Sequence, residues 1–197
     1  MSVRLGEKET NKKPAVFLDR DGTIIEEIGF IDDPNKVVPI SNAVEAVKRL
    51  NDAGYSVIVI SNQSGVARGY FSEDTVRAVN GKVAEIFNND SAKIEKFYYC
   101  PHYAHGIVPK YSIECNCRKP ATGLVEKAIE ELNVEPKLVI GDRESDIKLA
   151  KNLGILSILV LTGYGKKQSD YVGQMTDFIA DDILQAVEWF LNFNNIF

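Results

Sequence analysis

The run Val57-Ile58-Val59-Ile60 restricts the possible folds more than any other part of this chain. A strand with one wet face alternates apolar and polar residues. Four consecutive β-branched residues do not alternate, so both faces of this strand must be covered. Parallel strands joined by crossover helices meet that condition. Short apolar runs at 15–19, 56–61, 96–99, 138–142 and 155–161 alternate with segments of helical period at 42–53, 73–88, 123–132, 145–153 and 182–192. This is the pattern of a doubly wound α/β fold, a mainly parallel sheet with helices on both faces. Ser72, followed by Glu73 and Asp74, reads as an N-cap with acids in the first helical turn, where the helix dipole favours them.

The chain has 197 residues, 45% of them hydrophobic, with no Pro- or Ser-rich linker, so residues 14–197 read as a single domain with one substantial core. Residues 1–13 are polar, charged and aperiodic, and are expected to form a flexible leader. The net charge is −5, with Lys and Arg dispersed rather than gathered in a stripe, which argues against nucleic acid as the main ligand. No apolar run approaches the ~20 residues of a membrane span, and the N-terminus lacks the apolar core of a secretory signal. No membrane partner is expected, and the expected location is cytoplasmic.

Chemistry-bearing residues gather where the buried strands end. The first run closes on Asp19-Arg20-Asp21-Gly22-Thr23, the second on Ser61-Asn62-Gln63-Ser64-Gly65, the fourth on Gly141-Asp142. Ligands of open α/β sheets bind outside the carboxyl ends of the strands, so these stretches should converge on one crevice. Residues i and i+2 of a strand point to the same side, which lets Asp19 and Asp21 share a mouth while Arg20 faces elsewhere; Gly22 allows the turn. One carboxylate can attack phosphorus and the other can move the protons. Ser61 and Asn62, with Gln63 beside them, offer hydrogen bonds to phosphoryl oxygens, and Arg118 and Lys119 offer positive charge. Asp142 can complete a Mg²⁺ shell with Asp19 and a backbone carbonyl near Asp21, and Asp146, one helical turn on, can reach the metal directly or through water. As a first-turn acid, Asp146 would equally suit the helix dipole.

All three cysteines fall in one short segment, as Cys100-Pro101-His102 and Cys115-Asn116-Cys117. Two such pairs fit a closed tetrahedral Zn²⁺ site, which leaves no position for substrate and is therefore structural; His105 is the alternative to His102. A disulfide or unrelated thiols are the competing readings. A zinc loop over about 100–117 would lead straight into Arg118 and Lys119 and so position both cations.

In the order of its motifs, a paired-aspartate strand, a Ser/Thr strand end, a Lys and a downstream acidic motif, the chain resembles the haloacid dehalogenase superfamily. The resemblance implies Asp19 as nucleophile, Asp21 as general acid/base, Ser61 as the phosphate-binding hydroxyl, Lys119 as the family's cation and Asp142 as a metal ligand, with Asp21 in the metal shell. The zinc loop feeding Cys117-Arg118-Lys119-Pro120 resembles a group of compact phosphatases without a large cap domain, whose substrates include heptose 1,7-bisphosphate and histidinol phosphate. The segment from Asn62 to Phe71 is similar to the heptose-bisphosphate branch, which implies a phosphorylated sugar as the small-molecule partner and removal of its 7-phosphate through an aspartyl-phosphate. Arg68, Arg118 and Arg143 are then candidates for substrate binding. Two residues depart from that branch: Ser61 stands where Thr is usual, and Arg143 where Lys is frequent. The rival classes are a receiver-like signalling domain, which would not need an acid/base at Asp21, and a zinc-organised interaction module. The sequence gives no oligomeric state.

Overall fold

A computed structural model describes residues 12–194. Six parallel strands form one sheet in the order β3-β2-β1-β4-β5-β6, with β1 at Lys13–Leu18, β2 at Ser56–Asn62, β3 at Lys96–Cys100, β4 at Val134–Gly141, β5 at Leu156–Val160 and β6 at Phe178–Ala180. The helices are α1 (Ala43–Asp52), α2 (Glu73–Asn89), α3 (Gly123–Leu132), α4 (Glu144–Leu153), α5 (Gly165–Val172) and α6 (Ile183–Asn194), with a 3-10 turn at Pro34–Lys36. Among the described residues no large cap interrupts this alternation, and no helix is long and apolar enough to cross a membrane. The leader read over 1–13 lies, up to residue 11, outside the described residues; Lys13 already belongs to β1.

Period-two alternation divides each central strand between two apolar layers. Val16, Leu18, Val57, Val59, Leu138 and Ile140 pack under α1, α2 and α6, whereas Ala15, Phe17, Ile58, Ile60 and Val139 pack under α3 and α4. Both faces of Val57–Ile60 are buried, as that run requires. Ser72 caps α2, its Oγ accepting from the Thr75 N–H.

Three elements differ from the sequence reading. β4 starts at Val134, directly after α3 ends on left-handed Asn133, and runs through Pro136, where the β1 register slips between Ala15 and Val16. The bulge accommodates a residue with no N–H to give to the ladder. α5 and β6 are absent from that reading: α5 buries only Gly165 and Val172, too few for an apolar stripe, and β6 is three residues long.

The connections reverse direction between β1 and β4, so the crevice of this topology opens beyond the tips of β1, β2 and β4.

Candidate active site

Asp19 directly follows β1, and its N–H donates to the Ile140 carbonyl at 2.9 Å, which joins it to β4. The buried Lys119 ammonium lies 2.8 Å from Asp19 Oδ1 and 2.7 Å from Asp146 Oδ1, and donates to the Ile60 carbonyl at 2.9 Å. Burial opposes its charge, but Asp146 and Asp19 more than offset that and raise its pKa. Asp142 and Asp146 are fully buried, and oxygens of Asp19, Asp142 and Asp146 lie within 4.8 Å of one another. Burial, opposed by Lys119 and reinforced by Asp146 and Asp21, lifts Asp19 to about 7. Burial, reinforced by Asp19 and Asp146, lifts Asp142 to about 8, against the Tyr164 N–H and Arg143. Three crowded carboxylates with one ammonium are thus short of positive charge.

The donor set fits Mg²⁺. Asp142 Oδ2 accepts from the Tyr164 N–H at 2.7 Å, but Asp142 Oδ1 is buried without a hydrogen-bond partner, which a hard cation with oxygen ligands would supply. The space around this carboxylate is kept by glycine. Gly22 (φ +81°) and Gly163 (φ +53°) both press against it, and a Cβ on either would overlap Asp142 Oδ2. The Asp21 carboxylate stands apart from the three. Arg20 Nη2 meets Asp21 Oδ2 at 3.0 Å and Oδ1 at 3.1 Å, and Gln63 Nε2 donates to Oδ2 at 2.8 Å. Arg20 therefore does not simply face elsewhere: it turns back inside the protein, 1% exposed, and grips its neighbour.

Ser61 is buried with its Oγ unpartnered, as a hydroxyl reserved for a ligand would be. Asn62 and Gln63 are engaged with the protein itself. Asn62 Oδ1 accepts from the Lys119 N–H at 3.0 Å and its Nδ2 donates to the Lys119 carbonyl at 3.1 Å, so its amide fixes the Lys119 backbone. Gln63 Nε2 donates to Asp21. Both residues also line the cleft that opens above them; polar strand ends in a sequence do not reveal which protein partners they meet.

A cleft of about 380 Å³ opens above, lined by Asp19, Asp21, Ser64 and Lys119 and by the three arginines. Arg68 stacks on the Tyr103 ring at 4.1 Å and Arg118 lies 5.4 Å from the same ring, its Nη1 donating to the His102 carbonyl. Arg143 stacks on Tyr164 at 4.0 Å and pairs with Glu27 at 2.7 Å. Glu27, Phe30 and Tyr164 also line the cleft and are missed by sequence reasoning; they sit in loops without a motif.

Beside the cleft, Cys100, His102, Cys115 and Cys117 form a second cluster with ligand atoms within 4.8 Å of one another. The Cys117 sulfur lies 3.2 Å from that of Cys100, 3.3 Å from that of Cys115 and 3.3 Å from His102 Nδ1; the Cys100 and Cys115 sulfurs are 3.5 Å apart, and all three cysteines are free. A tetrahedron with Zn–S bonds of ~2.3 Å has edges of roughly 3.8 Å, so a small expansion of this group admits zinc. His105 packs edge-on against Tyr103 and is outside the group.

A parallel sheet whose first strand ends on an aspartate pair, one member of which meets a buried lysine and two further buried acids, defines a phosphohydrolase. The chain belongs to the haloacid dehalogenase superfamily and is a phosphatase of it. A Polynucleotide kinase 3 phosphatase family model matches residues 15–146 and a HAD-hydrolase-like model residues 116–186. More particularly, the chain is 38% identical over 186 residues to the D-glycero-D-manno-heptose-1,7-bisphosphate 7-phosphatase of Thermosynechococcus vestitus, covering 90% of this chain and 95% of that protein. It is 37% identical over 168 residues to the D-glycero-beta-D-manno-heptose-1,7-bisphosphate 7-phosphatase of Pasteurella multocida, covering 81% and 91%. The crystal structure of D,D-heptose 1,7-bisphosphate phosphatase from B. bronchiseptica, complexed with magnesium and phosphate, superposes with a TM-score of 0.80 at 27% identity, covering 91% of this chain and 98% of that one.

Proposed function

We propose that this phosphatase removes the 7-phosphate of D-glycero-D-manno-heptose 1,7-bisphosphate through an aspartyl-phosphate on Asp19. The observation that carries the reading is the Asp19–Lys119–Asp146 contact beside Asp142 Oδ1, which accepts no hydrogen bond, at the mouth of an arginine-lined cleft. An Asp19 oxygen attacks phosphorus; the bond to the sugar oxygen breaks, and that oxygen takes the proton of the Asp21 carboxyl. Asp21, now ionised, takes a proton from the water that displaces phosphate from Asp19. Lys119 opposes the protonation of Asp19 and orients it, and Ser61 donates to a phosphoryl oxygen. Asp19 and Asp142, with Asp146 and the backbone near Asp21, would hold Mg²⁺, whose charge stabilises the transferring phosphoryl group when bound. Arg68, Arg118 and Arg143 surround the cleft as partners for the sugar hydroxyls and the second phosphate. We infer a structural Zn²⁺ at Cys100, His102, Cys115 and Cys117, which would hold Arg118 at the rim.

The test is kcat/KM on heptose 1,7-bisphosphate and on histidinol phosphate side by side. A heptose preference of about a hundredfold or more, roughly 2.7 kcal/mol at the transition state, is expected; equal rates would overturn the substrate. Asp19→Asn should abolish turnover with the far-UV circular dichroism and zinc content unchanged, and retained turnover would refute Asp19 as nucleophile.

A further inference from the structure

Asn80 lies on the buried stripe of α2 formed by Val76, Val79, Val83 and Phe87, and is itself 7% exposed. An apolar residue would serve the core better there, since a buried amide costs free energy unless it is hydrogen-bonded. Its Oδ1 accepts from Arg20 Nη1 at 2.7 Å. That leaves Arg20 Nε and Nη2 for Asp21, and the four contacts from these two nitrogens to the two carboxylate oxygens measure 3.0–3.3 Å. Arg20 is 1% exposed, so neither solvent nor substrate competes for its guanidinium.

We propose that Asn80 and Arg20 are positioning residues for Asp21: α2, through Asn80, sets the plane of the guanidinium, and the guanidinium sets the plane of the Asp21 carboxyl. The inference rests on the acid/base role proposed for Asp21. Because Arg20 is the chain neighbour of Asp21, its fork closes on the carboxyl only when the far end of the side chain is fixed, and Asn80 supplies that anchor from 60 residues away. Gln63 occupies Oδ2 in addition, which leaves Oδ1 with the freer lone pair for the proton delivered to the departing sugar oxygen. The bond that breaks is P–O(sugar), its electron pair goes to the sugar oxygen, and the proton comes from Asp21.

A general acid matters for a poor leaving group and little for a good one, and kcat/KM reports the steps up to aspartyl-phosphate formation. The experiment therefore compares kcat/KM for heptose 1,7-bisphosphate, an alkyl ester, with that for p-nitrophenyl phosphate, in wild type, Asp21→Asn and Asn80→Ala. The alkyl-to-aryl ratio should fall roughly 100-fold in Asp21→Asn, the size of a general-acid contribution, and about tenfold in Asn80→Ala, where the acid is present but loosely held. Partial unfolding lowers both substrates alike and leaves the ratio untouched. An unchanged ratio in Asn80→Ala alongside the fall in Asp21→Asn overturns the positioning role alone; no fall in Asp21→Asn overturns the acid role itself. Asn80→Asp, which keeps an acceptor for Arg20, should restore the ratio. Should Asn80→Ala not fold, Arg20→Lys, which cannot grip Asp21 and Asn80 together, takes its place with the same expected fall, and an unchanged ratio there overturns the proposal equally.

Discussion

Asp142 is tightly held by its surroundings: fully buried, pressed by two glycines, with one oxygen accepting from a backbone N–H and the other accepting no hydrogen bond, Arg143 Nε lying 3.9 Å from it. Its pKa, raised to about 8, and that of Asp19, raised to about 7, both by burial first, make a pH prediction. A carboxyl whose folded pKa lies above its unfolded value of about 4 binds protons more tightly when folded. In the metal-free protein these two acids therefore contribute stability that is fully present below about pH 4 and lost as pH rises through about 7 and 8. Mg²⁺ competes with those protons, so adding it should raise Tm more at pH 8 than at pH 5. Thermal melts with and without Mg²⁺ at the two pH values check this; an equal shift at both would remove Asp19 and Asp142 from the metal shell. At this scale the gathering of the acids with Lys119 and of the cysteines with His102 was legible, because it depends on residue type and strand-end position. The partners of Asn62, Gln63 and Arg20 were not, because each is decided by contacts 42 to 60 residues away in the chain or by the turn of a buried side chain.

Among the elements, the loop between β3 and α3 has little apolar core of its own, Ile107 and Ile113 being exposed, and depends on polar fastening. The Ile107 and Val108 N–H groups both donate to the Ala67 carbonyl, at 2.8 and 3.0 Å, and Tyr111 donates to Glu73 at 2.6 Å. The loop thus rests on the segment that carries Arg68 and on the first turn of α2. Cys115→Ser should lose about one zinc per chain, measured by atomic absorption, open the loop to protease between 101 and 117, and lower kcat/KM by about tenfold through the displaced Arg118. A variant that loses the metal but keeps protease resistance and kcat/KM would show that hydrogen bonds alone hold the loop. The helices and central strands were readable from period and apolar runs; α5 was not, because a helix that buries two residues leaves no stripe, and β4 hid its first half behind Pro136.

For the molecule as a whole, stability resides in the two apolar layers while the chemistry is confined to one rim, so the two can be perturbed separately. Phe17, fully buried in the layer under α3 and α4, lies one turn of the pleat from Asp19 without lining the cleft. Phe17→Ala should cost about 3–5 kcal/mol of unfolding free energy, read from denaturant midpoints. A loss under about 1 kcal/mol would mean that this layer collapses around the gap. The outer strands of the sheet are its weakest templates: β6 offers three residues to a newcomer, and β3 begins with a lysine held by Glu131. A folded copy therefore has little to offer another chain for strand-by-strand growth. The segment best suited to a steric zipper, Ser56–Asn62, sits between β1 and β3 with both edges occupied. Fibril formation by this protein should follow its unfolded population, and stabilising the fold anywhere should suppress it.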